Sequence, residues 1–104
     1  MKYALIVFTT FSLLLPSPIL ADDLQVYDDY LPLYGDFYRP RDSTVQEYKD
    51  YIPRYGDYLK RDGDKLQVYD DYLPEYGDYY KWDGRRWQKY EDYLPDYGDY
   101  LEED

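Results

Sequence analysis

After its first 23 residues, the chain repeats one pattern four times at a spacing of 21 residues, with units starting at Leu24, Val45, Leu66 and Trp87. The units read LQVYDDYLPLYGDFY, VQEYKDYIPRYGDYL, LQVYDDYLPEYGDYY and WQKYEDYLPDYGDYL, joined by RPRDST, KRDGDK and KWDGRR, with EED at the end. Gln stands at position two, Tyr at four and seven, Leu or Ile at eight, Pro at nine, Tyr at eleven, and Gly-Asp at twelve and thirteen. Self-similarity at this period means a repeat architecture, in which one unit cannot bury its apolar face alone. The chain therefore divides into a leader over 1–21 and a mature part over 22–104, with repeats 24–44, 45–65, 66–86 and 87–104.

Within a unit the apolar spacing suits a helix. Leu24, Tyr27, Tyr30, Tyr34 and Phe37 step by three, three, four and three, and Leu66, Tyr69, Tyr72, Tyr76 and Tyr79 repeat the steps. Pro32, Pro53, Pro74 and Pro95 each lack a donor, and Gly35, Gly56, Gly77 and Gly98 follow three residues later. The pattern predicts short helical turns over Gln25 to Tyr30 and Pro32 to Phe37, broken by Pro and Gly and joined by mobile charged linkers. Helices this short are marginal alone.

The first segment reads as an address. Met1-Lys2 begins it, Ala4 to Leu15 form an apolar run, and Pro16, Pro18 and Ile19-Leu20-Ala21 precede Asp22-Asp23. This order predicts a secretory signal peptide cleaved after Ala21, hence a secreted, extracellular protein. Twelve helical residues rise about 18 Å, short of the roughly 30 Å hydrocarbon core.

Composition points to disorder. Acids outnumber bases 23 to 12, 18 residues are tyrosine, and Cys, His and Asn are absent. Thirteen Leu, Ile, Val and Phe residues follow Ala21, few for a chain of this charge. The expected fold class is a largely disordered or low-complexity tandem repeat without disulfides. The missing thiol and imidazole remove the common nucleophile–base pairs, so the chain reads as no enzyme. The acidic balance argues against nucleic acid and anionic membrane as partners.

Several side chains still carry chemistry. Tyr30, Tyr51, Tyr58, Tyr72, Tyr79, Tyr93 and Tyr100 each follow an aspartate near Pro or Gly, a setting that suits tyrosine sulfation in the secretory pathway. Dense phenols also invite cross-linking or hydroxylation by an outside oxidase, with Lys49, Lys60, Lys65, Lys81 and Lys89 as amine partners. Asp28-Asp29, Asp70-Asp71, Glu91-Asp92 and the terminal Glu102-Glu103-Asp104 are candidate oxygen ligands for weak calcium binding, with no other cofactor expected. Asp62-Gly63-Asp64 lacks the spacing of an EF-hand loop.

Tyr69-Asp70-Asp71-Tyr72-Leu73-Pro74-Glu75-Tyr76 resembles the acidic tail of hirudin-type thrombin inhibitors. The resemblance implies docking on a basic protein exosite, with Tyr69 as anchoring ring, Asp70 and Asp71 as charge contacts and Leu73-Pro74 as apolar turn. Tyr72 is an insertion relative to that pattern. In composition the mature chain is similar to acidic, tyrosine-rich matrix proteins of shells and other mineralised tissues. That similarity implies a secreted structural role, with self-association, other matrix proteins or a mineral surface as partners. Dibasic Lys60-Arg61 and Arg85-Arg86, the latter after Gly84, add a third reading, a precursor of repeated peptides. The leading expectation is a matrix protein working through many weak tyrosine and carboxylate contacts.

Overall fold

A computed structural model of the protein describes residues 18–103, so the leader expected over 1–21 lies almost wholly outside the described residues. Eight strands follow one another: β1 (Leu24–Asp28), β2 (Leu31–Arg41), β3 (Thr44–Lys49), β4 (Ile52–Asp62), β5 (Lys65–Asp70), β6 (Leu73–Trp82), β7 (Trp87–Glu91) and β8 (Leu94–Glu103). Each pairs antiparallel with the next, and β8 pairs back on β1, closing an up-and-down barrel. The disordered, helical-turn chain expected from sequence is thereby corrected: the described residues form a closed sheet, and no helix occurs among them.

The correction has a local cause. Leu24-Gln25-Val26-Tyr27 alternates with period two, placing Leu24 in the core and Val26 against it, while Tyr27 stacks on its neighbour Tyr100. The three-and-four spacing of the aromatics arises because a two-residue turn and a glycine kink interrupt this alternation. Each repeat is one hairpin, a short strand followed by a long one. Pro32, Pro53, Pro74 and Pro95 lie within strands, opposite Tyr27, Tyr48, Tyr69 and Tyr90, next to a register irregularity in each pair. The linkers form strand ends and tight connections, with Asp42–Ser43 and Gly63–Asp64 between strands.

Glutamine at position two supports the irregularity. Gln25 Nε2 donates to the carbonyl oxygens of Val26 at 2.9 Å, Leu33 at 2.7 Å and Asp36 at 3.3 Å, and Gln46, Gln67 and Gln88 repeat all three contacts. These carbonyls lose their ladder partners where the strands slip, and the amide replaces them.

The core is a ring drawn from positions one and fifteen. Leu24, Val45, Leu66 and Trp87 alternate with Tyr38, Leu59, Tyr80 and Leu101, all buried. At position fifteen, tyrosine in the first and third repeats alternates with leucine in the second and fourth, and Tyr38 and Tyr80 meet across the lumen. Leu20 packs against this core from outside the barrel sequence. Outside, position fourteen of one repeat stacks on position four of the next. The pairs Tyr27–Tyr100, Phe37–Tyr48, Tyr58–Tyr69 and Tyr79–Tyr90 have centroids 4.6 to 4.9 Å apart. Such stacks stabilise by about 0.5–1.5 kcal/mol each beyond the area they bury. Tyrosine thus supplies both core and outer coat, offsetting the shortage of aliphatics.

Two leucines of one repeat separate barrel from loose chain. Leu66→Ala, at a fully buried site, should cost about 2–5 kcal/mol by chemical denaturation. Leu73→Ala, at an exposed site, should change stability by less than about 0.5 kcal/mol.

Candidate functional site

Four two-residue turns crowd one end of the barrel. Their central residues are Asp29-Tyr30, Asp50-Tyr51, Asp71-Tyr72 and Asp92-Tyr93, all at positive φ, from 50° to 68°. Hairpins of this kind favour Asn-Gly or Asp-Gly because left-handed backbone costs a side-chain-bearing residue about 1–2 kcal/mol. Here tyrosine accepts the conformation because the preceding repeat holds it. Tyr51 N–H donates to Gly35 O at 2.9 Å, and Asp50 N–H donates to Asp36 Oδ1 at 3.1 Å. The Tyr51 ring covers Gly35, where an added Cβ would stand 3.4 Å from it. The same three contacts join Tyr72 to Gly56, Tyr93 to Gly77 and, across the closure, Tyr30 to Gly98.

Charge is unevenly spread. Residues 26–36, 47–57, 68–78 and 89–99, which build the turn end, hold fourteen acids against three bases. Residues 22–25, 37–46, 58–67, 79–88 and 100–103, which build the opposite end, hold eight bases against eight acids. The barrel is therefore electrically polar along its axis, and its acidity belongs to the turn end.

Of the sequence-proposed calcium ligands, the structure brings four into two matching groups. Asp28 and Asp29 meet Asp99, and Asp70 and Asp71 meet Asp57, with ligand oxygens within 4.8 Å of one another. Glu91 is instead paired with Lys89 at 2.9 Å, and Asp92 is tied through its N–H to Asp78. Glu102 and Glu103 lie far along β8, at the other end, and Asp104 falls outside the described residues. Asp57 and Asp99 escaped the sequence reading, although the Gly-Asp pair at positions twelve and thirteen marks them. A hydrogen bond and repulsion from Asp99 push the Asp28 carboxyl up, and Asp57 acts likewise on Asp70. Burial pushes Asp57 up too, but the Asp71 N–H and the Asp70 side chain outweigh it and hold the group low.

The sulfation candidates split. Tyr30, Tyr51, Tyr72 and Tyr93 sit on the turns and are exposed. Tyr58 and Tyr79 are half-buried in stacks, and Tyr100 is buried with Arg86 4.0 Å over its ring. The most open rings were missed: Tyr34, Tyr55, Tyr76 and Tyr97 are 70 to 78% exposed. Only Tyr97 among them follows an aspartate, Asp96. Tyr69, the anchoring ring of the hirudin-type comparison, lies on β5 and stacks on Tyr58 of the neighbouring β4. Among the lysines, Lys89 is half-buried, and Lys65 lies 4.9 Å from the Tyr79 ring centre.

Inside the turn end lies a cavity of about 220 Å³, lined by Val26, Tyr38, Glu47, Tyr80, Lys89 and the rim around them. Tyr38 and Tyr80 meet edge to face at 6.2 Å. Burial drives the Tyr38 hydroxyl well up, reinforced by Tyr80, and pushes Tyr80 up to about 12. Burial, then Asp57, raises Glu47. Burial pulls Lys89 down, but Tyr80, Glu91 and Asp99 outweigh it and raise it overall.

At the opposite end, Lys60-Arg61 lies inside β4 and Arg85-Arg86 in the β6–β7 connection, so the two dibasic pairs differ in access. Asp62-Gly63-Asp64 forms the β4–β5 connection. Ala21, the expected cleavage residue, is exposed just before β1, where Asp23 pairs with Arg39 at 3.0 Å and the Pro18 carbonyl accepts from Arg61.

Gly56→Ala would force a side chain onto φ +97° and within 3.3 Å of Asp71 Cα and the Tyr72 ring. We expect a loss of about 1–3 kcal/mol by denaturant titration. Gly63→Ala, at φ +64° with open space around it, should lose less, about 1 kcal/mol. In carboxyl-detected NMR, Asp70 should titrate above the ordinary aspartate range, and Asp57→Asn should bring it down. No protein-family model, curated protein or solved structure matches the chain, so the functional reading rests on this geometry alone.

Proposed function

We propose that the chain is a secreted binding protein that presents its acidic, tyrosine-ringed end to a basic extracellular protein. One observation carries this reading. Each repeat exposes the same three apolar side chains at the turn end: Tyr30, Leu31 and Tyr34; Tyr51, Ile52 and Tyr55; Tyr72, Leu73 and Tyr76; Tyr93, Leu94 and Tyr97. A water-soluble surface seldom concentrates large apolar groups in this way unless a partner covers them. Tyrosine gives broad contact area at low entropic cost, and the surrounding acids favour a partner of opposite sign. Four equivalent copies on one rigid rim add avidity when the partner offers more than one contact.

Secretion rests on the leader pattern before Asp22. The barrel wall carries Arg39, Lys60, Lys81 and Glu102 beside its aromatic stacks, charges that a lipid-facing band would exclude. We therefore place the barrel in water. The matrix role is a second reading, favoured by the two carboxylate groups around Asp99 and Asp57.

Biolayer interferometry against a panel of basic extracellular proteins, thrombin included, tests the proposal. Binding should saturate and weaken steeply as salt rises, because screening shortens the reach of the acidic end. Replacing Tyr34, Tyr55, Tyr76 and Tyr97 together by Ser should weaken it about tenfold or more, with the melting temperature unchanged. Equal binding by this variant would reduce the effect to general charge attraction and refute a built surface. Adsorption to calcium carbonate, beyond that of an unrelated acidic protein and without binding to any basic protein, would favour the matrix role instead.

A further inference from the structure

The lumen behind the acidic mouth has chemistry of its own, separate from the outer ring. On the inner wall the pairs Tyr38–Glu47, Leu59–Val68, Tyr80–Lys89 and Val26–Leu101 are direct neighbours across adjacent strands. Position three therefore faces inward in every repeat, and it reads Val26, Glu47, Val68 and Lys89 in turn. Two repeats line the lumen with valine. The other two place opposite charges on facing walls.

Those charges are not equivalent. Lys89 is satisfied at 2.9 Å by Glu91 on its own strand. Among the described residues no ion pair closes on Glu47; Lys49 and Arg54 attract it from further than 4 Å. A half-buried carboxylate without a counter-ion is costly, and a small cation removes the cost. The groups around it extend the argument. The cavity floor is the Tyr38–Tyr80 pair and one wall is Val26; Asp28, Asp36 and Asp99 line it together with Lys49 and the Glu91-paired Lys89, three acids against two bases. Aromatic faces and an aliphatic wall suit a carbon chain better than a bare metal ion, and ring faces also attract ammonium. At about 220 Å³ the space suits a slender ligand.

We propose that this lumen binds a primary ammonium carried on an aliphatic stem, with the ammonium at Glu47 and the stem against Tyr38, Tyr80 and Val26. Such a group comes either on a free alkyl amine or on a lysine side chain offered by a protein. The site does not depend on the outer tyrosine ring, so either reading can fail alone.

Isothermal titration of the chain at neutral pH tests it with 1,5-diaminopentane, Nα-acetyl-lysine methylamide, 1,5-pentanediol and calcium chloride. At least one ammonium probe should saturate a single site, and the uncharged diol should give no heat above dilution. Tighter binding of the diamine would identify a free amine as the ligand, and tighter binding of the lysine amide a protein side chain. Glu47→Gln should weaken the ammonium probe about tenfold or more, with the melting temperature held or raised. Val26→Phe, which fills the lumen from the other wall and keeps every charge, should weaken it too. The proposal is overturned if neither ammonium probe saturates, or if both variants bind like the parent. It is equally overturned if calcium displaces the amine from Glu47→Gln and parent alike, since the rim alone would then account for binding.

Discussion

Everything at the turn end depends on one contact set repeated around the ring: a tyrosine N–H on the preceding repeat's glycine carbonyl, an aspartate N–H on its aspartate, and the tyrosine ring on the bare glycine. Each hairpin taken alone asks tyrosine to adopt a conformation it resists. The neighbouring repeat supplies two hydrogen bonds and an aromatic contact that offset the strain. No repeat is therefore stable by its own sequence, and each depends on the one before it. In an open array the first unit would lack its supporter. Closure of β8 on β1 gives Tyr30 the carbonyl of Gly98 and removes that end effect.

The same contacts explain how a chain so poor in aliphatics forms a compact sheet. Tyrosine at position four and an aromatic at fourteen weld repeats together on the outside, while Tyr38 and Tyr80 fill the lumen. The turns commit aspartate to hydrogen bonding rather than to a core, which concentrates acid at one end. The linkers carry the bases to the other. Acidity and tyrosine content, separate oddities of composition, meet at a single rim where twelve large apolar side chains remain uncovered.

Much of this was legible in the sequence, and the rest was obscured for physical reasons. The repeat, its boundaries and its fixed slots are plain. Alternation through Leu24-Gln25-Val26-Tyr27 was also visible, but only four residues long before the turn broke it, and a three-and-four aromatic spacing hid it. Prolines at position nine argued against strands because proline normally interrupts a ladder. Gln25 and its equivalents answer that objection by bonding the slipped carbonyls, and nothing in a lone glutamine announces such a role. At the site, Asp28-Asp29 and Asp70-Asp71 stood out as adjacent acids. Asp99 and Asp57 come from the preceding repeat, and in the first group from the far end of the chain. No local pattern could pair them. Glu47 departs from the valine that stands at position three in the first and third repeats, and only the barrel shows that this position faces inward.

Closure also sets a rule that open repeat proteins escape. A solenoid can gain or lose a unit and keep its cross-section. Here each hairpin contributes a fixed share of the circumference, so the number of copies sets the bore. The bore suits Trp87, Tyr38 and Tyr80 beside five smaller side chains in one ring. Removing a hairpin would shrink the bore below what these rings need, and adding one would leave a void between them. Tandem duplication can thus make such a gene, yet once the ring closes it can no longer drift in copy number one unit at a time.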